Sequence, residues 1–178
     1  MAERKRSPLN RYPVTQKYLE ARAGAIFFAA TDIKKMTAPE SQVYGLVIDI
    51  PMGPNLLSTL VCYANGSANL FYNNGSALVG AATKFRSVAH AARTLVLSAE
   101  NCLAVAEKVN SYDLPVGRVH YVYFLTKRGF IYKTEITPGN FNENDKGKKL
   151  LFHLYQNVMA EIRATQLKEE KKNRESNS

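Results

Sequence analysis

Asn65-Gly66 separates two short runs rich in β-branched and aromatic residues, 56-LLSTLVCYA-64 and 67-SANLFYN-73. Both residues readily adopt positive φ, so the pair predicts a tight hairpin and commits this part of the chain to an antiparallel sheet. Upstream, 42-QVYGLVIDI-50 has strand composition. Strict alternation puts Val43, Gly45, Val47 and Asp49 on one face and Tyr44, Leu46, Ile48 and Ile50 on a drier one. Residues 51–55 carry Pro51 and Pro54 and read as the turn that completes a three-stranded meander. A second Asn-Gly, Asn74-Gly75, ends the third strand. Further on, 118-RVHYVYFLT-126 and 130-FIYKTEI-136 flank Lys127-Arg128-Gly129 and predict a second hairpin.

Three segments have helical spacing. In 15–35, Leu19, Ala23, Ile26, Phe27 and Ala30 fall on one side, and Pro39 closes the element. In 84–110, introduced by residues 76–83, a stripe from Phe85 through Val88, Ala92, Leu95 and Cys102 to Val109 predicts one long helix. In 147–172, Leu151, Leu154, Tyr155, Val158, Met159 and Ile162 face inward. The expected fold is α+β: one domain with a five-stranded, mainly antiparallel sheet covered by long helices, in the order α-β-β-β-α-β-β-α. Residues 1–14 read as a flexible basic arm, 15–167 as the domain and 168–178 as a charged, disordered tail.

A chain of 178 residues can build a core without disulfides or metal. Its two cysteines, Cys62 and Cys102, lie in apolar runs without Cys-x-x-Cys spacing and read as buried thiols in a cytoplasmic protein. No run approaches the roughly 20 apolar residues of a membrane span, so no membrane insertion is expected. His90, His120 and His153 are a whole element apart and lack ligand-spaced partners, which predicts no metal, and no cofactor motif is present.

The formal charge of +9 directs attention to anionic partners. Arg4, Lys5, Arg6, Arg11, Lys17 and Arg22 make the N-terminal region a candidate nucleic-acid contact. Gly75, Gly80, Lys84 and Arg86 surround a helix start and form a candidate anion site, although neither the Walker nor the dinucleotide spacing is there. Tyr121, Tyr123, Lys127, Arg128, Tyr132 and Lys133 put aromatic and basic groups on the second hairpin, as protein interfaces and single-strand nucleic-acid platforms do. Asp49 and Glu135, near strand ends, read as solvated charges, and no nucleophile is tied to a base by spacing. No catalytic residue is expected.

The stretches 67-SANLFYNNGSALVGAA-82, 114-LPVGRVHYVYFLTKRGFIYKTE-135 and 151-LFHLYQNVMAEI-162 resemble a family of uncharacterised bacterial proteins with a Gly-rich stretch before an Ala-rich helix. That resemblance implies common ancestry over about 42–162 and no assigned activity. Here Ser76, Ala77 and Ala81 replace several of the family's glycines. The element order also looks like that of roadblock and profilin-like domains, which implies pairing through helices or sheet edges. The expectation is a non-catalytic protein-interaction module that self-associates as a homodimer. The alternative is a nucleic-acid-associated protein using the arm and the basic hairpin.

Overall fold

A computed structural model describes residues 12–177. Its core is a seven-stranded, wholly antiparallel sheet in the order β4-β3-β2-β1-β6-β7-β5. The strands are β1 (Val43–Pro51), β2 (Leu57–Tyr63), β3 (Ala68–Tyr72), β4 (Ala77–Leu78), β5 (Glu107–Val109), β6 (His120–Thr126) and β7 (Ile131–Ile136). Strand β1 is central because both of its faces are apolar, and it is buried from Val43 to Ile50.

Both expected hairpins form, with Gly66 and Gly129 in the left-handed region at their turns. The sheet nevertheless has seven strands where five were expected, and its topology is unlike the roadblock/profilin order. The two additional strands are the edges. Asn74-Gly75 does not simply end β3. It makes a further hairpin, with Gly75 at φ +89 and the Tyr72 N–H on the Ser76 carbonyl, and so adds β4. At the other edge, β5 pairs with β7 through residues that were read as helical.

The single helix expected over 84–110 is therefore three pieces, α4 (Arg86–Ala99), a 3-10 segment (Glu100–Val105) and β5, preceded by the short α3 (Ala81–Lys84). Phe85 is extended, at φ −125 and ψ 113, and packs its ring against the core between α3 and α4. At the far end, the Glu100 carboxylate accepts the backbone N–H groups of Gln42 and Val43 at 3.0 Å and ties the chain to the start of β1. Strand pairing of residues 107–109 then overrides their helical spacing, a tertiary effect that local periodicity does not contain.

The helix expected over 15–35 also divides, into α1 (Gln16–Ile26) and α2 (Thr31–Lys35), with Ala30 left-handed at φ 47 between them. It buries Tyr18, Arg22, Ala25 and Ile26, so its inner face is rotated from the expected one, and Leu19 and Phe27 are exposed. The long C-terminal helix α5 (Lys146–Ser176) buries Leu151, Tyr155, Val158 and Ile162 as expected, and remains helical to Ser176 with every residue from 167 on exposed.

The elements form three layers. Helices α4 and α5 cover one face of the sheet, over Leu46, Ile48, Leu60, Cys62, Val122 and Phe124. Helix α1 and its continuation cover the other, over Tyr44, Val47, Val61, Tyr63, Tyr123 and Leu125. A register shift between Val43 and Gly45 transfers Tyr44 to the α1 side, away from its expected companions Leu46 and Ile48. There it stacks on Tyr63, whose ring lies over Gly45 so closely that a Cβ would sit 2.6 Å from it.

Candidate functional site

The residues proposed from sequence are dispersed by the fold. Gly75 packs against the α1 N-cap, where an added Cβ would lie 2.9 Å from the Thr15 hydroxyl. Gly80 precedes the four-residue α3, and its N–H reaches Asn69 Oδ1 at 3.4 Å. Lys84 pairs with Glu169 of α5 at 2.9 Å, and Arg86 is exposed at the start of α4. These four do not converge on one anion. On the second hairpin, Tyr121 lies under the Lys133 ammonium, 3.3 Å from ring centre to Nζ, and Lys133 also pairs with the exposed Glu135 at 3.1 Å. Tyr123 is fully buried on the α1 side and Tyr132 packs on the opposite face, so the six hairpin residues form no single surface. Arg4, Lys5, Arg6 and Arg11 lie outside the described residues, Lys17 is exposed on α1, and Arg22 is buried.

The destination of Arg22 corrects the reading of Asp49 as a solvated charge. Asp49 is 0% exposed, and Arg22 Nε and Nη2 donate to its two oxygens at 2.6–3.1 Å. Thr59 donates to Oδ1 at 2.7 Å, and Tyr18 shares a 2.7 Å hydrogen bond with that threonine. Arg22 Nη1 also reaches the Tyr112 carbonyl at 2.8 Å, and the Tyr123 hydroxyl donates to the Asp113 carbonyl. Burial opposes the Arg22 charge, but the adjoining carboxylate more than compensates and holds its pKa above the ordinary value. Burial, reinforced by Asp49, pushes the Tyr18 and Tyr123 phenols up as well. The centre is satisfied and closed, so it joins α1, the middle of the sheet and residues 112–113. The sequence carries a signal for it: an acid within an otherwise apolar strand needs a buried cation, and α1 supplies one basic residue on its inner side.

A groove runs along the β4 edge. Leu70 and Tyr72 of β3, Leu78 of β4 and Met159 and Ile162 of α5 line a cavity of about 440 Å³, and Met52 lies at its margin. A recess of about 190 Å³ continues beyond Leu78 between α5 and the β4–α3 turn. Beside these, Met52 is 51%, Leu56 39% and Val79 63% exposed. The two-residue β4 is the sheet edge, so among the described residues its outward backbone groups have no strand partner. Neither Lys127 nor Arg128 is near this groove. They sit on the turn of the second hairpin, where Lys127 donates to the carbonyl of Ala38 at 2.7 Å and so approaches α2, which carries Lys34 and Lys35.

Among the described residues, no three His, Cys, Asp or Glu side chains gather as a metal would require, and His90 and His153 are exposed on separate helices. Cys62 and Cys102 are buried free thiols. No helix among those residues is long and apolar enough to cross a membrane. The resemblance of 67–82, 114–135 and 151–162 to a bacterial family does not hold either, since the sheet departs from the related order and no family model matches. No curated protein and no solved structure matches this chain.

Proposed function

We propose that this chain is a non-catalytic interaction module that self-associates as a homodimer through the β4 edge and the adjoining face of α5. The observation that carries the reading is the mainly apolar groove of about 440 Å³ beside a sheet edge that has no strand partner among the described residues, with exposed Met52 and Leu56 in its lining and exposed Val79 in the adjoining recess. Antiparallel pairing of β4 with β4 of a second copy is self-complementary about a two-fold axis and closes that edge. The projecting end of α5 suits the same symmetry. Residues 168–175 carry Lys168, Lys171, Lys172 and Arg174 against Glu169, Glu170 and Glu175, so two such ends laid antiparallel place both signs opposite each other. Two buried free thiols suit a reducing cytoplasm.

Light scattering coupled to size exclusion tests this. The unmodified chain is expected to run as a dimer at micromolar concentration, and Val79→Arg or Leu56→Lys as a folded monomer. A monomeric parent chain, or variants that leave the dimer intact, would overturn the proposal.

The second reading, nucleic-acid association, is favoured by the grouping of Lys127, Arg128, Lys34 and Lys35 at one end of the molecule, with Lys34 over the Tyr44 ring and Lys108 over Phe130. It requires binding to single-stranded DNA or RNA that weakens steeply with salt and that Lys127→Glu/Arg128→Glu removes. Absence of binding at low salt excludes it.

A further inference from the structure

A second cavity, of about 580 Å³, lies where three loops meet at one end of the sheet: the turn after β1, the segment entering β6 and the segment leaving β7. Pro51, Pro54, Pro138 and Met52 give it apolar walls, three of them conformationally fixed. Arg118 and His120 also line it, and none of its lining residues is acidic. Arg118 has no ion-pair partner among the described residues.

His120 gives the cavity a built polar group. Its side chain is held by a 2.8 Å hydrogen bond between Nδ1 and the hydroxyl of Tyr155, and the residue is only 5% exposed. The Tyr155 hydroxyl is in the core and makes no other hydrogen bond among the described residues, so the tautomer that leaves neither group unsatisfied has the Tyr155 hydroxyl donating to Nδ1 and the imidazole proton on Nε2. Among the described residues Nε2 has no protein partner, and no fully buried side-chain nitrogen or oxygen lacks one, so Nε2 is not fully buried. Nε2–H is therefore the donor reached from the cavity. Burial lowers the His120 pKa to about 4, which keeps the ring neutral and the Nε2–H in place at neutral pH.

We infer that this cavity binds a small carboxylate with an apolar body, its carboxylate held by the Arg118 guanidinium and His120 Nε2–H and its body against the three prolines and Met52. One guanidinium and one neutral N–H match a single negative charge with two acceptor oxygens. A phosphate dianion would bring a second charge that nothing in the lining neutralises. This site is separate from the β4 edge groove apart from Met52 at their shared margin, and it does not depend on self-association.

The test is an NMR titration of the full isotope-labelled chain with 3-phenylpropionate, with 3-phenylpropanamide and inorganic phosphate as comparison arms. The carboxylate is expected to give saturable shifts at the Gly53 and Gly117 amides and the His120 ring. Its affinity is expected to fall about tenfold, or 1.4 kcal/mol, in Arg118→Gln. The amide and phosphate are expected to bind at least that much more weakly. His120→Gln should also weaken binding, and should it fail to fold, the exposed Arg118→Gln decides alone. No saturation, shifts confined to other regions, equal binding of the amide or phosphate, or an unchanged affinity in Arg118→Gln would each overturn the assignment.

Discussion

Asp49 is a fully buried carboxylate opposite one buried guanidinium. Removing one partner leaves the other charged and unpaired, so Arg22→Ala is expected to cost about 3–5 kcal/mol. Replacing both, as Arg22→Met/Asp49→Leu, should recover most of that loss, because the pair itself contributes little beyond what apolar packing would. Urea denaturation of the three proteins measures both numbers, and a double variant as unstable as the single would show that the network, not the lone charge, is what matters. His120 gives a second residue-scale expectation. Burial depresses its folded pKa to about 4 from an ordinary value of 6.5, so the unfolded chain binds the proton more readily. The stability that neutral His120 confers is complete above about pH 6.5 and is lost as pH falls toward 4. Melting temperatures recorded across that window should slope downward with acid, and His120→Phe should flatten the slope relative to the parent chain.

At the scale of elements, Glu100 does what neither its helix propensity nor its charge announces: it receives three hydrogen bonds from two backbone N–H groups at the start of the central strand. Glu100→Ala strands those groups in a half-buried position and is expected to lower stability by about 1–3 kcal/mol. A lower urea midpoint with an unchanged m-value would bear this out, whereas no change would mean that water replaces the carboxylate. The same residue shows where sequence patterning stops being informative. The hairpins at Asn65-Gly66 and 127–129 are legible because turn chemistry and alternation are local properties. The inward face of α5 is legible for the same reason. The end of α4 is not, because Leu103, Ala106 and Val109 continue a helical stripe, and only pairing with β7 and the tie from Glu100 to β1 redirect them. Among candidate sites, the hairpin tyrosines illustrate the limit. The sequence groups Tyr121, Tyr123 and Tyr132 as one surface, whereas the fold puts Tyr132 on the opposite face, and nothing in the strand itself says that α1 will cover Tyr123. The groove beside β4 is not legible because a two-residue strand, Ala77–Leu78, is too short to carry an alternation.

For the whole molecule, α5 is longer than the sheet it covers. Residues 167–176 extend about 15 Å at the helical rise of 1.5 Å per residue and are all exposed, with Glu169 paired to Lys84. Helical segments of that length hold together poorly on their own in water, so they gain from a second surface. A chain ending at Gln166 should keep its melting temperature within a few degrees while losing the dimer, as checked by calorimetry and light scattering on the same samples. Loss of the fold would instead assign residues 167–176 to the core of the monomer. The two thiols offer a different view of the intact chain. Cys62 is sealed in the middle of the sheet, while Cys102 lies against Gly147, where an added Cβ would come within 3.2 Å of Sγ. Burial raises the pKa of both thiols, that of Cys62 strongly. Alkylation therefore becomes a clock for opening: under mild denaturant, peptide mass mapping should find Cys102 modified before Cys62, timing the lift of α5 from the body ahead of rupture of the sheet.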